Sequence, residues 1–156
     1  MSEDAPGPIP DSPTEVEAIM LLCDSAQSVG GKLYILGGGW SQAPAVAPEA
    51  LPMGLAIRML VPWDRTNEHI PVKIRLLTDR GIAVTDAAGA PVEATTALEV
   101  GRPPGLPRGT ALDAALALNF MGLTLEEGSY VWVLEAEDKT KARAPFRVTG
   151  PNQGAT

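Results

Sequence analysis

Apolar and polar residues alternate along much of the chain. In 54–61, Leu55, Ile57, Met59 and Val61 share one parity and Arg58 takes the other; in 70–77, Ile70, Val72, Ile74 and Leu76 alternate with Pro71, Lys73 and Arg75. The same rhythm runs through 92–100, where Val92, Leu98 and Val100 oppose Glu93 and Glu99. It returns in 129–138, where Tyr130, Trp132, Leu134 and Ala136 oppose Val131, Val133, Glu135 and Glu137, and in Ala144, Phe146 and Val148 against Arg143, Pro145 and Arg147. A period of two sends successive side chains to opposite faces and marks a strand with one buried face.

Turn residues separate these runs. Gly30-Gly31 between the apolar runs 19–23 and 33–36 predicts a hairpin, because glycine takes positive φ at little cost. Asp64-Arg65-Thr66-Asn67 parts two strands, Asp79-Arg80-Gly81 and Ala88-Gly89 bracket a short run at 82–84, and Glu127-Gly128 precedes Tyr130. Short strands with a turn every ten or so residues predict an all-β fold, a single immunoglobulin-like antiparallel β-sandwich. In that setting the Tyr130 hydroxyl is placed to bond nearby backbone, as in a tyrosine corner, or to stand as an ordinary half-buried tyrosine. Segment 111–119 carries two readings. Its Ala and Leu favour a short helix across one end of the sheets. Its even positions Leu112, Ala114, Leu116 and Leu118, continued by Phe120, alternate as a strand would, and the strand is the reading adopted.

Prolines at 6, 8, 10 and 13 and acids at 3, 4 and 11 make 1–14 a flexible tail by composition; 150–156 reads as a second short tail, and 15–149 as one domain. The acidic, proline-broken start lacks the basic and apolar blocks of a secretory signal, and a lone Cys23 forms no disulfide pair, so a cytoplasmic setting is expected. With 16 Gly and 15 Pro among 156 residues, turns are abundant. The formal charge of −7 opposes binding to nucleic-acid phosphate, and no apolar run is long enough for a membrane helix.

Four segments, GGKLYILGGGWS (30–41), MGLAIRMLVPWD (53–64), EVGRPPGLPRGTALD (99–113) and LNFMGLTLEEGSYVW (118–132), resemble a family of small bacterial proteins of unknown function, common in actinobacteria. The resemblance spans nearly all of 15–149. It implies a compact, cytosolic, β-sandwich-like domain and carries over no catalytic or binding residue.

Chemistry-bearing residues are sparse. His69 is the one imidazole and falls in a polar turn near Asp64 and Glu68. Cys23 lies in an apolar run beside Asp24, the opposite of the electropositive setting a reactive thiolate needs. Gly37-Gly38-Gly39 leads to Trp40-Ser41-Gln42-Ala43-Pro44 and opens no helix, so a bulge or close backbone approach explains it better than a phosphate cradle. Asp79, Asp86, Glu135, Glu137 and Asp138 lack the converging spacing of a calcium loop. Neither catalytic residues, cofactor nor metal ligands are therefore expected. What remains is surface. The loop 101–109 is stiffened by Pro103, Pro104 and Pro107 and carries Arg102 and Arg108, while Trp40 and Trp63 stand at strand ends. Trp40, Trp63, Arg102, Pro103, Pro104 and Arg108 form the candidate interaction surface if they converge; otherwise the tryptophans cap the core and the loop is a plain crossover. The function expected is a non-catalytic module binding a protein partner or its own copy. A small-molecule or carbohydrate site near Trp40 and Trp63 is the alternative, and a carboxylate-based hydrolase ranks third.

Overall fold

The computed structural model describes residues 13–44 and 51–150. The tails expected at 1–14 and 150–156 therefore fall, apart from 13, 14 and 150, outside the described residues. The described chain is an all-β sandwich. Its strands are β1 (Glu17–Val29), β2 (Lys32–Gly38), β3 (Gln42–Pro44), β4 (Leu51–Val61), β5 (Ile70–Thr78), β6 (Glu93–Leu98), β7 (Leu112–Leu123), β8 (Gly128–Ala136) and β9 (Lys139–Thr149). One sheet has the order β2-β1-β4-β7 and the other β3-β9-β8-β5-β6. Neighbours pair antiparallel except at one place: β3 runs parallel to β9, with Gln42 opposite Arg147. The purely antiparallel expectation is corrected there, because the chain leaves β2 in the first sheet and reaches the second running alongside β9.

The alternating residues face the space between the sheets. Leu55, Ile57, Met59 and Val61 of β4, Ile70, Val72, Ile74 and Leu76 of β5, and Trp132 and Leu134 of β8 are all essentially inaccessible. Trp132 stacks on Phe120 with ring centroids 4.6 Å apart. Its Nε1–H donates to Met53 Sδ at 3.0 Å, so the polar edge of the ring is satisfied inside the core. Segment 111–119 is strand, paired with β4 from Leu112 opposite Val61 to Phe120 opposite Met53. The helical preference of Ala and Leu yields here, because Leu116, Leu118 and Phe120 pack on the core only as one face of a strand. The run 82–84 makes one isolated bridge, Leu77 with Ala83, and Thr85 just beyond it bridges Pro91. Asp86 turns the chain immediately after it, accepting the Ala88 and Ala90 N–H at 2.9 Å each, so no strand length accumulates.

Gly30 and Gly31 turn the β1–β2 hairpin at φ 59° and 75°, both in the left-handed region that a two-residue hairpin turn of this type requires. Beyond Cys23 the hairpin bends across the outer face of its own sheet. Asn119 on β7 accepts the Ala26 N–H at 3.0 Å and donates to the Ala26 carbonyl at 2.8 Å, and the Ser28 hydroxyl donates to the Ala115 carbonyl at 3.0 Å. Cys23, Ala26 and Ala56 make a small second core there, with Leu33 and Ala117 against it. The approach depends on Gly54, where a Cβ would stand 2.9 Å from Cys23 Sγ and 3.1 Å from the Ser25 Cα.

Candidate functional site

Trp63 and Arg102 come together. Trp63 begins a single 3-10 turn, Trp63–Arg65, that follows β4. The Arg102 guanidinium lies 4.0 Å over the Trp63 ring centroid. It also donates to Thr66 Oγ1 and, at 2.8 Å, to the Trp63 carbonyl. A planar, delocalised cation can stack and hydrogen-bond at once, and this fixes the start of the 101–109 loop to the turn. The Arg102 charge is thereby engaged within the chain. Pro103, Pro104 and Arg108 are exposed on the same loop, and Arg108 has no ion pair among the described residues.

Trp40 lies elsewhere. It packs edge-on against Phe146 at 6.2 Å and joins the main core. Arg65, in the Trp63 turn, pairs instead with Glu137 in the β8–β9 turn, so along β9 the two tryptophans are separated by roughly 30 Å at ~3.3 Å per residue. The six candidate residues therefore divide into a Trp63–Arg102 latch with the exposed loop 103–108 beside it, and a core-capping Trp40.

The charged groups are mostly paired with one another. Glu137 bridges Arg65 and Lys141, Arg75 pairs with Glu135, and Glu15 reaches Lys139 at 2.8 Å. The hydrogen bond and charge of Lys139 hold the Glu15 carboxyl below the usual carboxylate range. Arg65, Lys73, Glu135, Glu137 and Asp138 line an open groove of about 600 Å³ on the outer face of the second sheet, with no aromatic ring in its wall. His69 is exposed, 3.4 Å from Glu99. Cys23 is fully buried, and burial, with the neighbouring Asp24 charge, pushes its thiol up. Among the described residues no group of three or more His, Cys, Asp or Glu is placed to hold a metal ion. No helix among them is long and apolar enough to cross a membrane.

The surface feature that sequence periodicity missed is β2. Every residue of it except Leu33 is exposed, with Tyr34 57 %, Ile35 41 % and Leu36 69 % accessible. β2 ends its sheet, and among the described residues its backbone pairs only with β1. Leu21 and Ile35 meet over Gly38, where an added Cβ would touch both, and Ile19 at 62 % exposure continues the patch along β1. Val29, 58 % exposed, continues the opposite face, in register with Lys32 beside Tyr34 and Leu36. From Ser25 to Pro48 the sequence contains one charge, Lys32. The available signal was the unbroken run Leu33-Tyr34-Ile35-Leu36, apolar on both faces, which periodicity alone reads as a buried strand.

Comparison with known proteins adds a family. The model of the family of unknown function DUF6941 matches residues 18–149. No curated protein matches. Among solved structures, the chain is similar to an alkylpurine DNA glycosylase of Pseudomonas fluorescens, AlkC, bound to DNA containing an abasic site analog, at 9 % identity and a TM-score of 0.42. That match covers 86 % of this chain and 30 % of the glycosylase.

Proposed function

Because the chain belongs to DUF6941, a family of unknown function, we propose its role from its own surface: it is a non-catalytic interaction module that takes a protein strand along the open edge of β2. The observation that carries this is the exposure of Tyr34, Ile35 and Leu36 on a nearly charge-free edge that no other strand pairs among the described residues. Folded proteins blunt such edges with charge, proline or cover, because an uncovered one pairs with another chain. Where β3 does not cover it, β9 has the usual protection, since it carries Pro145 between the exposed Arg143 and Arg147. Main-chain bonds to β2 supply affinity, and Tyr34 and Leu36 on one face and Ile35 on the other supply selectivity.

The immunoglobulin-like character of the sandwich belongs to the same reading. It is supported by Tyr130, whose hydroxyl donates to the Glu126 carbonyl at 2.7 Å, as at a tyrosine corner. A cytoplasmic setting is supported by the single, unpaired Cys23.

The test is a photo-crosslinking amino acid placed at Tyr34, with Thr95 on the far sheet as control, in cells that encode the protein. A discrete protein adduct at position 34, absent at 95 and abolished by Ile35→Lys, is expected. No adduct at 34 overturns the reading.

A further inference from the structure

We infer that the strand taken by β2 comes from a second copy of this chain, so that two β2 edges pair antiparallel about a two-fold axis at Ile35 and join the two β1–β2 hairpins into one four-stranded ribbon. The inference rests on the proposed use of the β2 edge and names its occupant.

Three observations point to self-pairing. The first is charge. Each copy carries −7, so two copies repel over most of their surface. They approach at least cost where charge is absent, and Ser25–Val29 with Leu33–Gly38 is such a surface.

The second is register. A two-fold axis perpendicular to a sheet preserves faces, so opposed residues share parity. With Ile35 opposite Ile35 of the second copy, Tyr34 faces Leu36 and Leu33 faces Gly37. Aromatic–aliphatic cross-strand pairs of this kind stabilise a sheet. Lys32 then reaches the Gly37–Gly38 corner of the second copy. There Asp24 lays its carboxylate where a Cβ on Gly37 would stand, and Gly37 accommodates it at φ 59°. Neither Lys32 nor Asp24 has a salt bridge to another described residue within its own chain. The two-fold brings an uncompensated cation to an uncompensated anion, twice.

The third is area. Ile19, Leu21, Val29, Tyr34, Ile35 and Leu36 are each between 38 % and 69 % exposed. Tyr34, Ile35 and Leu36 lie on the paired edge itself, and the residues on β1 flank it on both faces, so that a second copy has apolar surface to cover toward the ~800 Å² per partner of a standard interface.

Sedimentation of the full chain across about 1–100 μM tests this. The expected result is a concentration-dependent species of twice 16.3 kDa. Lys32→Glu and Asp24→Lys are each expected to weaken it at least about tenfold, and the double exchange to restore it to within about threefold. Hydrogen exchange follows the amides of 32–36 in the same samples, so a poorly folding variant does not decide the matter. In the unaltered chain those of these amides that do not bond β1 are expected to lose protection on dilution. A single 16.3 kDa species at all concentrations overturns the inference. So does a dimer indifferent to both charge variants with the outward amides of 32–36 unprotected, because that dimer uses another face. If sedimentation shows a monomer while position 34 crosslinks to a different protein, the interaction module stands and the second copy falls. Absence of both signals removes both.

Discussion

Gly54→Ala is a one-carbon change whose sign is decided by the bent hairpin. In a strand open on both faces alanine would gain ~0.5–1 kcal/mol over glycine, because it restricts the unfolded chain. At position 54 the added Cβ would stand 2.9 Å from Cys23 Sγ, 3.0 Å from Asn119 Oδ1 and 3.1 Å from the Ser25 Cα. The sulfur and the amide can rotate away only by giving up contacts that hold the hairpin, and the Ser25 backbone cannot rotate at all. Overpacking of this kind costs ~1–3 kcal/mol. Displacing Asn119 from its two bonds to Ala26 adds ~1 kcal/mol for each net hydrogen bond lost. The clash exceeds the gain, and a net loss of about 1–3 kcal/mol is expected. For a domain of this size that lowers the Tm by roughly 4–10 °C. Calorimetry gives the global value, and hydrogen exchange at 25–36 locates the loss in the hairpin rather than the main core. Cys23→Ala in the same chain relieves the sulfur but not the Ser25 contact, so recovery is expected to be partial. A Gly54→Ala protein as stable as the parent, with unchanged exchange at 25–36, would refute the account of how the hairpin is seated.

Other changes follow from the same geometry. Arg102→Ala removes the stack on Trp63 and the bonds to Thr66 and the Trp63 carbonyl; a loss of about 1–2 kcal/mol in urea unfolding is expected. Arg102→Lys should recover less than half of it, since an ammonium lacks the flat fork. Glu137 and Asp138 turn the β8–β9 hairpin at φ 56° and 59°, so Asp138→Gly should raise stability by ~0.5–1 kcal/mol, read as a higher urea midpoint at unchanged slope. The Cys23 thiol should resist a disulfide reagent until the protein unfolds. Burial raises both the Cys23 thiol and the Tyr130 hydroxyl. Their stabilisation is full below the unfolded thiol's titration near pH ~8.5 and is lost as pH rises toward the folded values. Cys23→Ala should therefore flatten the alkaline side of the stability–pH curve.

Which features could be read in advance depended on what fixes them. The inward parities of β4, β5, β8 and β9 were legible because each turns a continuous apolar row into the core, and in β5 and β9 the other face meets water. The Gly30-Gly31 turn was legible because it is local chemistry. Segment 111–119 was settled by alternation even though its residues favour helix, since β4 needed a partner along its second edge. The hairpin's bend was not legible. It depends on Gly54, Asn119 and Ala26 meeting across 93 residues of sequence in the case of the last two, and small residues carry no periodic signal of what will lie over them. For the same reason the sequence left Arg102 open, as part of an interaction surface or of a plain crossover. Nothing between 63 and 102 announces that the guanidinium finds an indole and a threonine. The exposed β2 was hidden by a rule that usually holds, because four apolar residues in a row generally mean an interior strand.

The short parallel strand β3 sets the order in which the molecule can be completed. Its Ala43 carbonyl accepts from the Thr149 hydroxyl, 106 positions away, and among the described residues its backbone pairs only with β9. During synthesis the first hairpin can close as soon as it emerges, but the border of the second sheet waits until Thr149 has been made. Until then β9's place is empty and the edge of β8 stands open. Such late, distant closure slows folding, and it makes removal of the residues around Thr149 far more damaging than the modest size of β3 would suggest.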